Sequence, residues 1–331
     1  MGLGAVILAA GCTPPPAAVP AHIDPEAPAW VTRASTGPSS RCERRLGNPT
    51  GLALERPCGT LLAVLTDGAY TVRFAGAARS FGEPSAAATV NTRDWVRVLP
   101  APFSGSVDSA LASWVIDQAG NNAPDLLALA MQYIDGAPVV LDEGRQIAGD
   151  ADYGPLSPAG SRIEGSDFYD YLGVVWTFDD GVVEKPLATE LHSLDCSGYM
   201  RMLWGLRAGV PLASTAAAPG ATALARRAVQ MAAGPFGVAI DPAPVTTTTP
   251  TSSPATAGLQ AGDLVFFDAD PIDGPAIDHV GMFVGVDSAS GRRFISSRKG
   301  ANGPTLGDVR GASVLDGPGL YAKSFRSARR L

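Results

Sequence analysis

Leu194–Tyr199 reads LDCSGY, and apolar residues recur behind it at helical spacing. This periodicity predicts an amphipathic helix that begins at or near Cys196. Two apolar segments come later in the chain, LQAGDLVFF at 259–267 and DHVGMFVG at 278–285, and each predicts a buried strand. Helix and strands in this order indicate a mixed α+β fold in which Cys196 and His279 each begin an element.

Cys196 is placed for thiol chemistry. At the start of a helix the unpaired backbone N–H groups and the positive end of the dipole favour a thiolate over a thiol. The same N–H groups are suited to hold the oxyanion of a tetrahedral intermediate. Taken alone, a cysteine is more often a buried structural residue than a nucleophile. Taken alone, a histidine such as His279 is more often a structural residue with its hydrogen bonds satisfied than a base.

These segments together resemble the NlpC-type family of cell-wall cysteine peptidases. In that family Asp-Cys-Ser-Gly opens the nucleophile helix, a Gly-Asp-Leu-hydrophobic-Phe-Phe strand follows, and His-Val-Gly begins the next strand. The resemblance covers about residues 155–331. It implies a papain-like domain over 151–331, with the nucleophile helix packed on an antiparallel sheet. It also implies that Cys196 attacks an amide carbonyl while His279 keeps the thiol deprotonated and later protonates the leaving amine.

The third catalytic position departs from the family pattern. Family members often carry histidine on the strand after the base, and the corresponding run RFISS at 293–297 places Ser296 there. A serine hydroxyl can fix the imidazole tautomer. Asn302 or a backbone carbonyl is the alternative partner, and His192 is a rival base if the helix begins earlier.

Substrate contacts are also implied by the resemblance. Tyr171 stands in an imperfect counterpart of the family's Tyr-x-Trp-Gly-Gly segment, and Asp195 and Ser197 flank the nucleophile. Ordinary aromatic packing is the alternative for Tyr171. Arg298 and Lys299 are predicted either to pair with carboxylates of an acidic stem peptide or to lie in a solvated loop.

The amino-terminal residues predict a lipid anchor. Residues 1–12 are apolar and end in LAAGC, which resembles a bacterial lipoprotein signal with Cys12 as the lipidated residue. Basic residues are missing before Cys12, so we expect part of a leader to precede this start. The alternative is an apolar terminus with a chance cysteine. Residues 13–41 are rich in Pro, Ala and Ser and predict an extended tether.

Residues 42–150 predict a smaller mixed α+β domain. A hairpin is indicated over 61–74 around an Asp-Gly turn, a strand over 95–99, and helices over 107–119 and 124–133. The tryptophan strand resembles those of bacterial SH3-like modules, and the alternative is a packing domain that shapes the cleft. Residues 241–258, rich in Thr, Ser and Pro, predict a flexible loop inside the catalytic domain.

The chain has four cysteines. With Cys12 lipidated and Cys196 catalytic, Cys42 and Cys58 remain as a disulfide pair in an oxidising compartment, with zinc binding as the alternative. No metal and no cofactor are expected, because the three histidines show no paired-ligand spacing.

Charge and composition restrict the function further. A net charge of -7 argues against nucleic acid as a partner. Hydrophobic residues make up 46% of the chain, enough for a sizeable core. We therefore predict an exported, membrane-anchored, monomeric endopeptidase that hydrolyses amide bonds in peptidoglycan stem peptides. The alternatives are a cell-envelope binding or scaffold lipoprotein and an acyl or amide hydrolase with a substrate outside the wall.

Overall fold

The computed structural model describes residues 32–33, 41–215, 222–241, 258–270, 272 and 274–331. Cys12, most of the predicted tether and nearly all of the predicted loop at 241–258 lie outside these residues. Within the described part, no helix is long and apolar enough to cross a membrane.

The first half of the chain is built on an antiparallel sheet in simple meander order. Its strands are β1 Thr32–Arg33, β2 Cys42–Gly47, β3 Thr50–Glu55, β4 Leu61–Thr66, β5 Thr71–Phe81 and β6 Val90–Val98. The predicted hairpin is confirmed, since Ala63 of β4 lies opposite Phe74 of β5. Leu65, Phe74 and Val115 belong to an apolar cluster on this sheet that is separate from the larger core described below.

Two of the predicted helices follow this sheet. They are α1 Ser109–Ala119 and α2 Leu126–Ala130, and a 3-10 turn at Met131–Tyr133 extends α2. Each begins behind an aspartate whose side chain accepts a backbone N–H, Asp108 at 2.8 Å and Asp125 at 3.1 Å. A short hairpin of β7 Val140–Asp142 and β8 Arg145–Ala148 closes this half.

The second half contains a six-stranded antiparallel sheet. Its strands are β11 Val238–Asp241, β12 Leu264–Phe267, β13 His279–Val286, β14 Arg292–Arg298, β15 Gly303–Thr305 and β16 Phe325–Arg330. They lie in the order β11, β16, β12, β13, β14, β15. The strand predicted over 278–285 is confirmed as β13, and that predicted over 259–267 is confirmed in its second half as β12; the two pair through Phe267 and His279.

Helices and a small ribbon surround this sheet. They are α3 Phe168–Leu172, α4 Cys196–Arg201, α5 Ala228–Ala233, α6 Leu320–Ser324, a 3-10 turn at Ala188–Glu190, a π-helical turn at Met202–Arg207, and a ribbon of β9 Trp176–Thr177 with β10 Val183–Glu184. Helix α4 packs on β13 and β14, which places it directly on the face of the sheet.

The alanine-rich sequence predicts a helix over about residues 221–233, and this prediction is wrong in its start, because α5 begins only at Ala228. Leu224 instead exchanges backbone hydrogen bonds with Pro211 and Ala213, and Arg226 turns inward to an ion pair. The local alanine content favoured a longer helix, and these tertiary contacts overrode it.

The two halves share one core. Tyr70, Val90 and Val96 of the first half pack in the same buried cluster as Met200 and Trp204 of the second. The backbone N–H of Thr71 donates to the carbonyl of Leu331 at 2.7 Å, and that of Leu306 donates to the Glu83 carboxylate at 3.1 Å. The amino-terminal sheet therefore braces the sheet that carries the candidate site. Its likeness to SH3-like modules stays a prediction.

Candidate active site

The predicted nucleophile stands at a helix start. Asp195 caps α4 and accepts the N–H of Gly198 at 2.7 Å. Glycine is required at 198 because a Cβ there would lie 2.2 Å from the carbonyl oxygen of Ser166. Cys196 is the first residue of the helix, as the sequence predicted, and its side chain is 5% exposed.

Strand β13 carries the predicted base to the same point. The thiol of Cys196 lies 3.9 Å from the carbonyl oxygen of Asp278, and the N–H of Val280 hydrogen-bonds to the sulfur. Cys196 therefore contacts the backbone on both sides of His279. The imidazole Nε2 of His279 lies 3.1 Å from the hydroxyl of Ser296 on β14. The structure thus places the Ser296 hydroxyl against the imidazole of His279, and the thiol of Cys196 against the backbone on either side of that histidine.

Electrostatics favour the neutral forms of both reacting groups. Burial raises the pKa of the Cys196 thiol, and the Asp195 and Glu164 carboxylates raise it further. Burial together with the positive charge of Arg298 lowers the pKa of His279 to about 3. The prediction of a resting thiolate is therefore wrong for this structure, because burial outweighs the N–H groups at the helix start.

A buried arginine that the sequence analysis missed holds the nucleophile loop. Arg226 donates to Asp195 through both terminal nitrogens, at 2.8 and 3.2 Å, and to the Ser197 hydroxyl at 2.7 Å. Burial opposes ionisation of Asp195, but Arg226 keeps the pKa of this carboxyl below its usual range. No local pattern in the sequence marks Arg226, because its partners are remote along the chain.

The predicted substrate contacts of Asp195 and Ser197 are not what the structure displays. Both side chains are buried and engaged with Arg226, and Asp195 accepts in addition from the backbone of Gly165 and Gly198. Their hydrogen bonds fix the start of α4, so they position the nucleophile from below.

Tyr171 does not reach the site, and its predicted contact with substrate is wrong. Its side chain is fully buried, and its hydroxyl donates to the carbonyl of Gly149 at 3.0 Å. Tyr153 takes the place that the prediction gave to Tyr171. It lines the cleft beside His279 and donates to Glu164 at 2.8 Å. The sequence around Tyr153 contains no motif that predicts its position in the cleft, because this tyrosine lies far upstream of Cys196.

The two alternative catalytic residues lie elsewhere. His192 packs its ring against Tyr171, with the centroids 5.6 Å apart. Asn302 uses its side chain on Asp152 at 2.6 Å and on the backbone N–H of Tyr153 at 3.4 Å. Neither contacts His279 or Cys196 among the hydrogen bonds of the described residues.

The cleft in front of His279 has a volume of about 320 Å³. Acidic and basic side chains line it together with Tyr153 and Tyr321. The charged lining residues are Glu164, Asp270, Asp278, Arg298, Lys299 and Arg310. A cleft with charges of both signs suits a zwitterionic ligand such as a short peptide of charged amino acids.

The remaining cysteines form the predicted disulfide. Cys42 and Cys58 are bonded to each other and join the first residue of β2 to the turn after β3. Over the ranges that the structure covers, no group of three or more His, Cys, Asp and Glu side chains is placed to hold a metal ion.

Comparison with known proteins agrees with the order of these elements. No curated protein matches the chain. Residues 184–303 match the model of the NlpC/P60 family, and this segment contains Cys196, His279 and Ser296. Residues 184–303 therefore belong to the NlpC/P60 family, an NlpC-type family of cell-wall peptidases whose members are generally cysteine peptidases.

Proposed function

We propose that this protein is a peptidoglycan endopeptidase that hydrolyses amide bonds of stem peptides through Cys196 and His279. The observation that carries the proposal is the contact chain from the thiol of Cys196, through the backbone beside His279, to the Ser296 hydroxyl at 3.1 Å from Nε2. The family match supports a wall substrate at the level of the family.

The reaction begins from a neutral thiol and a neutral imidazole. His279 takes the proton of Cys196 as the sulfur attacks the amide carbonyl, which gives a tetrahedral intermediate and an imidazolium. Backbone N–H groups at the start of α4 are placed to hold the oxyanion. The imidazolium then protonates the leaving amine as the C–N bond breaks. Water, deprotonated by His279, hydrolyses the thioester and restores the thiol.

Ser296 has a positioning role in this proposal. Its hydroxyl accepts or donates at Nε2 of His279, so the other ring nitrogen remains for the thiol proton. A serine stabilises the imidazolium less than a carboxylate would, which fits a dyad that is neutral at rest. A nucleophile helix on an antiparallel sheet that carries the base is the arrangement we expect of a papain-like domain.

The proposed location rests mainly on the sequence. We take the protein to be exported and held at the membrane by lipid on Cys12, with residues 13–41 as the tether and a monomer as the working form. The disulfide between Cys42 and Cys58 supports an oxidising compartment. No cofactor takes part in the proposed reaction.

A second candidate function is a binding or scaffold lipoprotein with little turnover. It is favoured by one observation, namely that Cys196 is 5% and His279 9% exposed. A site that stays this closed would bind wall peptide at its rim without reaching the thiol. Intact catalytic side chains argue for the enzyme, since binding alone requires neither.

Digestion of purified peptidoglycan separates the two candidates. The full chain and its Cys196→Ala variant are incubated with peptidoglycan under reducing conditions, and soluble products are identified by mass spectrometry. New stem-peptide fragments from the parent alone are expected and would identify the bond. Absence of fragments from a folded, reduced parent that still sediments with peptidoglycan would favour the scaffold.

A further inference from the structure

Arg298 is a buried cation beside the candidate active site. It is the last residue of β14, the strand that also carries Ser296, and only 3% of its surface is exposed. Its guanidinium donates to the carbonyls of Gly311 at 2.6 Å and Gly307 at 3.0 Å, and its Nε has no acceptor. Of the two alternatives for Arg298, the solvated loop is therefore wrong.

The charge of Arg298 has no carboxylate partner within ion-pair distance among the described residues. Other buried arginines of the second half have one, at 2.7 to 2.9 Å: Arg201 with Asp167, Arg226 with Asp195, Arg293 with Asp287, and Arg330 with Asp263. Burying a cation without a counter-charge is costly. Two backbone carbonyls, the Tyr321 hydroxyl and the Asp308 carboxylate beyond ion-pair distance offset this cost only in part, so the site is suited to an anion from outside the chain.

Arg298 lines the cleft and is separated from His279 by the ring of Tyr321. Its guanidinium carbon is 5.2 Å from the ring centroid of Tyr321, and that ring is 5.5 Å from the ring of His279. His279 protonates the leaving amine in the proposed reaction, so the amine-side residue of the substrate occupies this region. Arg310 lines the same cleft, is exposed, and makes no ion pair within the described residues.

We propose that Arg298, assisted by Arg310, forms a carboxylate-binding subsite for the amine-side residue of the substrate. The enzyme would then prefer amide bonds whose leaving amino acid carries a free carboxylate. This inference rests on the proposed function, because the assignment of the two sides of the cleft depends on the role of His279.

Occupancy of the subsite also affects the base. The positive charge of Arg298 disfavours the imidazolium of His279. A bound carboxylate cancels this charge, which makes proton transfer from Cys196 to His279 easier. Binding of the correct substrate thereby activates the dyad that is neutral at rest.

Two peptides that differ in one charge test the subsite. They are L-Ala-γ-D-Glu-L-Lys with a free carboxylate on the lysine and the same peptide with a carboxamide there. kcat/KM is measured for both with the full chain, its Arg298→Gln and Arg310→Gln variants, and Arg93→Gln as the control. Arg93 is an exposed residue of β6, away from the cleft.

We expect amidation to lower kcat/KM of the parent and the Arg93→Gln variant on the order of tenfold to hundredfold, the range for a charge-assisted hydrogen bond. In Arg298→Gln the ratio of kcat/KM for the acidic peptide to kcat/KM for the amidated peptide should fall close to one, mainly because the acidic peptide is cleaved more slowly. Arg310→Gln, an exposed change that leaves the fold intact, should reduce the ratio about threefold. Equal cleavage of both peptides by the parent would overturn the subsite and leave the proposed function in place.

A binding measurement distinguishes the remaining outcomes. The Cys196→Ala variant is titrated with each peptide by calorimetry, with and without Arg298→Gln. Selective binding of the acidic peptide that needs Arg298, without hydrolysis by the parent, would support the subsite and contradict the proposed function. Failure of the Cys196→Ala variant to bind either peptide, together with no hydrolysis by the parent, would contradict both.

Discussion

Arg226 joins Asp195 through two hydrogen bonds, of 2.8 and 3.2 Å, directly beneath the residue that begins the nucleophile helix. Both side chains are buried, and the guanidinium also reaches Ser197. The pair therefore sets where Cys196 stands relative to His279.

Removing one member of this pair should destabilise the fold strongly. Arg226→Met leaves Asp195 as a buried carboxylate without a counter-charge, which costs about 3–5 kcal/mol. Adding Asp195→Asn to Arg226→Met removes that charge and should recover a large part of the loss. Urea unfolding of the two variants and the parent measures this difference. Equal stability of the single and double variants would contradict the pairing as described.

Ser296→Ala should lower kcat with little change in KM. The hydrogen bond to Nε2 of His279 is lost, and its net contribution of about 1 kcal/mol corresponds to roughly a fivefold slower reaction. Ser214→Ala is the matched control, because this serine is also buried and makes one side-chain hydrogen bond, to Asp180, outside the cleft. Steady-state kinetics that show the same loss in both variants would argue against a positioning role of Ser296.

Loss of the hydroxyl should affect substrate binding at Tyr153 and the stability of the fold at Tyr171. Tyr153→Phe removes a hydrogen bond to Glu164 in the cleft, so we expect a severalfold higher KM. Tyr171→Phe removes buried bonds to Gly149 and Gln146, and we expect about 1–3 kcal/mol lower stability with kcat/KM unchanged. Kinetics and unfolding of both variants check this, and a kinetic defect in Tyr171→Phe alone would restore the prediction from sequence.

The pH profile should lack the acid limb of an ordinary histidine. His279 acts as a base only when neutral, and its pKa of about 3 keeps it neutral far below the usual value of about 6.5. We therefore expect kcat/KM to remain level from pH 8 down to about pH 5. A loss centred near pH 6.5 would show that the imidazole titrates normally.

The same shift has a consequence for stability. The folded-state pKa of His279 lies below the unfolded value, so its contribution is fully present above about pH 6.5 and is lost as the pH falls toward 3. The free energy of unfolding of the parent minus that of His279→Gln should therefore decrease over this window. The subtraction removes groups that titrate in both proteins, such as Asp170, whose pKa burial raises to about 6.

Opening the disulfide should weaken the fold. Cys42 and Cys58 are 16 residues apart, and closing a loop of this size stabilises a protein by about 3 kcal/mol through the unfolded chain. The double variant Cys42→Ser with Cys58→Ser should unfold at correspondingly lower urea. Addition of reductant should lower the stability of the parent and not that of the variant, whereas equal sensitivity of both proteins would point to another cause.

The sequence predicted those features that depend on neighbouring residues. The hairpin over 61–74 follows from its turn and from alternating apolar residues, and α4 follows from apolar spacing behind Cys196. Ser296 was placed by its position on a strand, and the contact with His279 agrees with that placement.

Features that depend on packing could not be predicted in this way. The role of Arg226 comes from a contact with Asp195 that no periodicity records. Tyr171 lies in an imperfect counterpart of the family's tyrosine segment, yet its side chain is buried and Tyr153 lines the cleft instead. The protonation state of Cys196 depends on how deeply the helix start is buried, which the local sequence does not specify.

Strand β16, at residues 325–330, lies inside the second sheet between β11 and β12. Until this segment leaves the ribosome, β12 has an unpaired edge and β13, which carries His279, lacks a complete support. The side chain of Arg330 also supplies the ion pair that anchors Asp263 at the entrance to β12. A nascent chain therefore lacks part of the sheet that supports His279 until this last segment has been synthesised.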